Sequence, residues 1–411
     1  MSLAQHVLKA INAAMRHFFF LIGILFRRGD DMKKIIRITC LILILAFCFS
    51  TFVFALDKNE SNTEIKAKSA VLMDVNTGTV LLQQNMDERL APASVTKIMT
   101  LLLVFEALDS EKIKLTDMVT VSENAASMGG SQIFLEVGES MSVDDMIKSV
   151  VVASANDAAV ALAEFVGGSE AAFVKMMNDR AAELGMTNTN FENATGLDDD
   201  TKNHLTTAYD IALMSRELLK HDKITEYTTI WMDTVRNGEF GLSNTNRLVR
   251  FYKGVTGLKT GSTDKAGFCI SASAKRDNLH LIAVIMGSET SNIRNAEAAK
   301  LLDYGFANYD IYRNEEAVLE PVNVLGGISD KVNVKYSTYE ALVNKGEKNK
   351  ITYEIVMNEN ISAPIKSGDA LGKIIYKSGD KIIGEDKIYS TENIDKIGYL
   401  SYLLRVIKNF F

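Results

Sequence analysis

The sequence has few cysteines, few histidines and no excess of positive charge. Three cysteines occur among 411 residues, and two of them, Cys40 and Cys48, sit in an apolar stretch near the N terminus. Cys269 is therefore the only cysteine of the remaining chain, which excludes a disulfide framework. The five histidines stand at 6, 17, 204, 221 and 280, and none forms a close pair such as H-E-x-x-H. A zinc mechanism is not expected, and no metal or cofactor is implied. The net charge of −7 argues against a nucleic-acid partner. A hydrophobic content of 47% and a charged content of 24% are ordinary for a globular protein. The length leaves room for about two or three domains.

The first 55 residues differ from the rest. "MKKIIRITCLILILAFCFSTFVFA", beginning at Met32, has a basic start in Lys33, Lys34 and Arg37, then an uncharged apolar run from Ile38 to Phe54. Val53-Phe54-Ala55 is an acceptable cleavage site, so residues 1–55 are expected to be a leader containing a secretory signal peptide. An uncleaved anchor is the competing reading, but the 17-residue run is short for a membrane span. Met32 is the expected true start; a two-segment leader using the apolar patch Phe18–Phe26 is the alternative. Phe47 is too bulky before Cys48 for a lipoprotein site. Residues 1–55 carry seven Lys/Arg and two Asp, a net of +5, so residues 56–411 hold −12.

Beyond the leader, Ser69–Val75 alternates like a strand, Asn76-Thr77-Gly78 turns, and Thr79–Gln83 returns. Thr96–Leu108 is apolar almost all round, the pattern of a buried helix. Two helical patterns between Val143 and Val166 break at "SAND", 154–157. Ala171–Leu184 is amphipathic and is followed by Gly185, and Thr206–Leu219 has Thr206 or Thr207 as a cap. "NFENATGLDDD", 190–200, reads as a polar loop. A second hairpin, Gly267–Ala274 and Leu279–Met286, turns at Arg276-Asp277-Asn278, and Asn292–Phe306 closes the segment as a helix. Strands at both ends with helices between predict one sheet whose edges are distant in sequence, an α+β fold. Composition shifts between Asn314 and Pro321, and short Lys-rich strands follow at 332–336, 351–357, 373–376 and 381–384. The expected division is 60–312 for a catalytic domain, 318–391 for a small all-β domain, and 393–411 for a terminal helix. In that helix Ile397, Leu400, Leu404, Ile407 and Phe411 share one face, with Ser401, Arg405, Lys408 and Asn409 opposite. This suits a helix lying on a membrane surface, the alternative being a helix docked on the β domain.

The chemistry centres on "APASVTKIMT", which puts Ser94 and Lys97 on one face at a helix start. A serine hydroxyl needs a nearby base to become a useful nucleophile. A lysine in apolar surroundings loses its proton more readily and can be that base. Pro92 suits an entry turn, and at the helix N terminus the Ser94 N–H can help bind an oxyanion. Ser154-Ala155-Asn156 stands at the break between helices, and Lys259-Thr260-Gly261 precedes the second hairpin. There Thr260 offers a hydroxyl, Lys259 a charge, and Gly261 a close approach of backbone. Each motif alone is weak, since a cap or a strand-end turn would explain it. The set of three, in this order and separated by 60 and 105 residues, is specific.

These motifs, with "AVLMDVNTGTVLLQQN", "NATGL" and "GLKTGSTDKAGFC", make the chain resemble the low-molecular-mass penicillin-binding proteins, the D-alanyl-D-alanine carboxypeptidases. The resemblance covers nearly all of the chain beyond the leader. It implies a β-lactamase/transpeptidase-like catalytic domain, an antiparallel sheet with a helical cluster, then a small all-β domain and an anchoring helix at the outer face of the plasma membrane. It also implies that Ser94 attacks the carbonyl between the terminal D-alanines of a peptidoglycan stem peptide while Lys97 takes its proton. Ser154 and Asn156 would line the cleft. Lys259 and Thr260 would hold the terminal carboxylate beside Gly261, and the backbone N–H groups of Ser94 and Ser262 would form the oxyanion hole. β-Lactam antibiotics would acylate Ser94. Two departures stand out: Ala155 where many members carry Gly, and Ser262 where many carry His. Rival readings are a β-lactamase, for which Glu192-Asn193 lacks the required E-x-x-x-N spacing, a DD-transpeptidase, and an inactive wall-binding scaffold.

Overall fold

The computed structural model describes residues 65–198 and 201–408. The expected leader of residues 1–55, with its expected start at Met32, lies outside the described residues, as does the end of the terminal segment at 409–411. Glu64–Phe411 forms one compact unit.

Five antiparallel strands make the main sheet: β1 (Ser69–Asp74), β2 (Val80–Gln84), β3 (Val255–Thr263), β4 (Gly267–Arg276) and β5 (Leu279–Ser288). Their order is β2-β1-β5-β4-β3, so the first hairpin pairs, through β1, with a strand more than 200 residues away in sequence, as the α+β reading expected. The first turn is fastened by Asp74, whose Oδ2 accepts from Thr77 N (2.8 Å) and Thr77 Oγ1 (2.7 Å). All six residues of β1 are buried, because both faces of the sheet are covered. Alternation along the strand divides them: Val71 and Met73 enter the helical core, Ala70 and Leu72 the core on the other face.

Helices α1 (Lys97–Asp109), α2 (Val143–Val152), α3 (Asn156–Gly167), α4 (Glu170–Glu183) and α5 (Ala208–Leu218) build the first layer. Helix α6 (Ser291–Asn308) covers the opposite face through Leu301, Leu302 and Phe306. In α1, Leu101, Leu102, Val104 and Phe105 are almost wholly buried. Burial of such side chains contributes roughly 1.5–3 kcal/mol each, which fixes this helix in the core. Thr207, rather than Thr206, caps α5 by accepting from Asp210 N at 3.0 Å.

The second domain is a five-stranded sheet of β6 (Ala317–Val318), β7 (Val334–Tyr336), β8 (Ile351–Met357), β9 (Ala370–Ser378) and β10 (Lys381–Ser390), ordered β6-β7-β10-β9-β8. Val332, Val334, Ile374, Tyr376 and Ile388 form its core. One pairing was not anticipated: Tyr309–Asn314 runs antiparallel to Tyr339–Asn344 across the expected boundary. Of the first strand only Ile311 is fully buried, so its period-2 signal is faint.

The terminal helix α7 spans Tyr399–Lys408, shorter than 393–411. The chain before it still belongs to the β domain. Ile394 is buried and bridges to Ile365, and Ile397 N donates to Gly326 O at 2.9 Å.

Candidate active site

The polypeptide enters α1 through a 3-10 turn, Ala93–Thr96, after Pro92. Ala93 takes a left-handed φ of +49°, which swings Ser94 out of the core while Val95 and Thr96 stay buried. Lys97 begins α1 and is fully buried. Its Nζ lies 2.9 Å from Ser94 Oγ, 2.5 Å from Asn156 Oδ1 and 2.9 Å from Thr195 O. Asn156 Nδ2 donates to Gly129 O at 2.7 Å, which fixes the amide so that its oxygen faces Lys97.

Counting donors shows how the neutral amine would be arranged. A neutral amine has two N–H bonds and one lone pair. Asn156 Oδ1 and Thr195 O are carbonyl oxygens and only accept, so they use both N–H bonds. The lone pair is left for Ser94, whose hydroxyl then donates to Lys97. Burial drives Lys97 toward that neutral form, holding its pKa well below the ordinary range; the Lys259 charge adds to this and Asp157 opposes it.

Lys259 is equally buried, near the middle of β3. Its Nζ donates to Ser154 Oγ (2.8 Å) and Thr260 O (2.9 Å). Burial, with Arg294 nearby, lowers its pKa to about 7. Ser154 adopts a left-handed φ of +63°, a strained backbone that turns its hydroxyl toward Lys259. Thr260 Oγ1 pairs with Thr245 Oγ1 at 2.7 Å.

A cleft of about 330 Å³ is lined by Ser94, Ser131, Ser154, Thr245, Arg247, Thr260, Gly261, Ser262 and Arg294, among others. Strand β3 forms its floor edge and is the outermost strand of the sheet, so an extended chain can lie along it. Gly261 has the role read from its type: a Cβ there would sit 2.7 Å from Ser94 N and 2.8 Å from Val95 N. This contact brings the Ser94 N–H beside Gly261-Ser262.

All eight residues singled out in the sequence gather here, with two differences of placement. Asn156 was expected to line the cleft, yet it is buried behind Ser94 and holds Lys97. Lys259 was expected to reach the cleft with Thr260, but it lies beneath, joined to Ser154 and the Thr260 carbonyl. Ala155 is wholly buried at the start of α3, whereas Ser262 is exposed at the mouth. Glu192 accepts from the N–H groups of Lys202 and Asn203 at the surface, consistent with its unsuitable spacing for a deacylating base.

The structure adds residues that sequence reasoning left without a role. Thr195, in "NATGL", presents its carbonyl to Lys97, and Asn193 Oδ1 shapes that turn by accepting from Gly196 N at 2.7 Å. His204 joins the same wall: Glu192 N donates to its Nδ1 (3.0 Å), so Nε2 carries the proton and donates to Thr96 Oγ1 (2.8 Å). Arg294 arrives from α6 and Thr245 from the loop before β3.

Comparison with known proteins agrees with this geometry. Residues 56–290 match the family described as D-alanyl-D-alanine carboxypeptidase, and 306–396 match the C-terminal domain of penicillin-binding protein 5. The D-alanyl-D-alanine carboxypeptidase DacF of Bacillus subtilis (strain 168) is 45% identical over 386 residues, covering 92% of this chain and 98% of the relative. Penicillin-binding protein 5 from Haemophilus influenzae superposes with a TM-score of 0.70 at 33% identity, covering 81% of this chain and 98% of the other. Penicillin-binding protein D2 from Listeria monocytogenes, solved in its cefotaxime-bound form, matches at 33% identity and a TM-score of 0.56, covering 60% of this chain and all of the other. The chain is a serine peptidase and belongs to the D-alanyl-D-alanine carboxypeptidase family.

Proposed function

We propose that Ser94 removes the terminal D-alanine from peptidoglycan stem peptides through an acyl-enzyme. Ser94 Oγ attacks the carbonyl between the two D-alanines while Lys97 Nζ takes the hydroxyl proton. The backbone N–H groups of Ser94 and Ser262 receive the oxyanion. Collapse of the tetrahedral intermediate breaks the C–N bond, and the proton passes to the departing D-alanine amine. Water then attacks the ester and regenerates Ser94. Thr260 and Arg294 hold the terminal carboxylate, with the Lys259 charge beneath them and Ser154 between the two lysines' territories as a proton relay. The observation that carries this reading is the partner set of Lys97, two obligate acceptors and the Ser94 hydroxyl.

β-Lactams should acylate the same serine, as the cefotaxime complex of the Listeria relative suggests. Intact-mass spectrometry with and without penicillin tests this. The protein should gain one penicillin, the Ser94→Ala variant none, and D-alanine release from a stem pentapeptide should vanish with it. A wild-type protein that gains no mass would refute the assignment.

We further infer that the domain division is a leader to about residue 55, a catalytic domain, a β domain and an anchoring helix, with the enzyme held peripherally on the outer face of the plasma membrane. No helix among the described residues is long and apolar enough to cross a membrane. What favours surface attachment is the way α7 meets the β domain. Its polar side makes the contact: Arg405 donates to Gly327 O (3.2 Å) and Ile328 O (2.7 Å) and pairs with Asp330. Leu400, Leu403, Leu404 and Ile407, on the other side, remain exposed. Removing 399–411, rather than the longer segment from 393 that includes buried Ile394, should release soluble, active enzyme; sedimentation with membranes after that deletion would overturn the anchor.

A further inference from the structure

The segment before β3 carries positive charge that release of D-alanine does not use. A second cavity, of about 580 Å³, opens beside the catalytic cleft. Thr245 and Arg247 line both, and Thr245 is the partner of Thr260, the residue assigned above to the terminal carboxylate. The second cavity therefore adjoins the carboxylate end of the cleft, the side on which D-alanine leaves. Trp231, Arg250 and Phe251 form its outer wall. The Arg250 guanidinium lies 5.5 Å from the centroid of the Trp231 ring and 5.4 Å from that of Phe251. Stacking orders this flat group and leaves its N–H edge free to bond an anion. The backbone is anchored as well: Asn244 Nδ2 donates to Ile230 O (2.7 Å), Asn244 N to Trp231 O (2.9 Å) and Thr245 N to Val152 O (3.2 Å), and Leu248 is buried beneath.

We propose that Arg247 and Arg250 form an anion subsite on the leaving-group side, which takes a leaving residue longer than D-alanine and bearing a second carboxylate. The proposal rests on the reading of Ser94, Thr260 and Arg294 given above. Its argument is the balance of charge. Among the described residues no Asp or Glu lines either cavity, and neither Arg247 nor Arg250 makes an ion pair or a hydrogen bond through its guanidinium. Asp233, two residues from Trp231, is engaged by Lys148 at 3.3 Å, and Glu239 stands at the far tip of the hairpin that Met232–Val235 and Phe240–Ser243 make. Lys259, Thr260 and Arg294 already answer one carboxylate, so the two outer arginines are surplus to a substrate that has only one. The reaction itself is unchanged: the same C–N bond breaks, and the same proton passes to the departing amine. The first carboxylate stays with Thr260 and Arg294, the longer side chain passes Thr245, and its far carboxylate meets Arg247 and Arg250. Two stem peptides joined through a side chain have this form, with acidic peptide continuing past the scissile bond.

The test uses residues 56–411 and acetylated peptides ending in D-Ala-D-Ala, D-Ala-D-norleucine and D-Ala-D-α-aminoadipate. The last two leaving residues match in length and differ in the second carboxylate. Release of D-α-aminoadipate should exceed release of D-norleucine in kcat/KM by roughly tenfold. Arg250→Gln should remove that preference, Arg250→Lys should keep part of it, and neither should alter release of D-alanine by more than a few-fold. If the wild type releases D-alanine but treats norleucine and aminoadipate alike, the subsite fails while the proposed function stands. A preference that survives both Arg250→Gln and Arg247→Gln also overturns the subsite. So does an Arg250→Gln enzyme that loses as much on a peptide whose extra carboxylate lies on the acyl side, since the anion would then not sit past the scissile bond. A wild type that releases no residue from any of the three peptides removes both readings.

Discussion

Gly261→Ala isolates the contact on which the site's geometry depends. The added methyl would lie 2.7 Å from Ser94 N, 2.8 Å from Val95 N and 2.9 Å from Pro92 O, all backbone atoms that cannot rotate away. Ordinary contact begins near 3.4 Å, so β3 and the turn carrying Ser94 must part by about 0.7 Å. Overpacking of this kind costs about 1–3 kcal/mol of stability, which a protein of this size survives. Catalysis is more sensitive. Displacing reacting groups by about 1 Å can cost on the order of 100-fold, and this methyl would separate the proposed nucleophile and oxyanion donor, Ser94, from the strand proposed to hold substrate. The second-order rate constant for acylation by a fluorescent penicillin should therefore fall by roughly 30- to 100-fold, with the fold intact by circular dichroism. Gly241→Ala, where a Cβ meets nothing within 4 Å, should acylate normally. A Gly261→Ala enzyme that acylates within a few-fold of wild type would show that the apposition of Gly261 and Ser94 does not set the reaction geometry.

Two further outcomes follow from the buried bases. Lys259, lowered to about 7, loses its charge as pH rises, so kcat/KM for a carboxylate-bearing substrate should fall above about pH 7, while the bound carboxylate should shift the corresponding limb of kcat upward; coincident limbs would count against Lys259. Because the unfolded lysine titrates near 10.4, the unfolded chain binds more protons between about 7 and 10.4, and this group makes stability rise with pH in that window. His204, pushed down to about 4 by burial, binds its proton in the unfolded chain first, so it contributes about 3 kcal/mol that is lost as pH falls from about 6.5 to 4. His204→Asn should lower the urea midpoint at pH 7 by leaving Thr96 Oγ1 or Glu192 N unpaired, and it should reduce the acid slope; His280, also lowered to about 4, keeps the remainder. An unchanged slope would refute the assignment.

Much of the catalytic frame was legible because its signals are local. The turn at Asn76-Thr77-Gly78, the break at Ser154 and the hairpin at Asp277 are written in residues adjacent in sequence. The all-apolar α1 announced its burial, and with it the environment of Lys97. Residues whose meaning is tertiary were not legible. Arg294 is one cation on an unremarkable helix until α6 packs across the sheet and carries it to the cleft. Thr195 acts through a carbonyl that every residue has, so its side chain gave no warning. The C-terminal boundary failed for a related reason: Ile397 fits the helical spacing, but its N–H is committed to Gly326 in the β domain.

The same distinction explains why burial was an incomplete account of Lys97. Desolvation lowers the proton affinity of any buried lysine, and Lys259 is as deeply buried. Burial alone would therefore make two bases. What separates them is the character of their partners. Lys97 faces two carbonyl oxygens that cannot donate and one hydroxyl that can, so its neutral form has one satisfied arrangement, and in it the serine proton already points at nitrogen. Lys259 meets a hydroxyl and one carbonyl below a cleft that also holds Arg294, a setting that a carboxylate ligand turns toward the charged form. A positive Lys259 in turn helps to keep Lys97 neutral. On the proposed reading, base and anion site are made from the same residue type at the same depth, and the partners around each nitrogen, rather than burial, distinguish them.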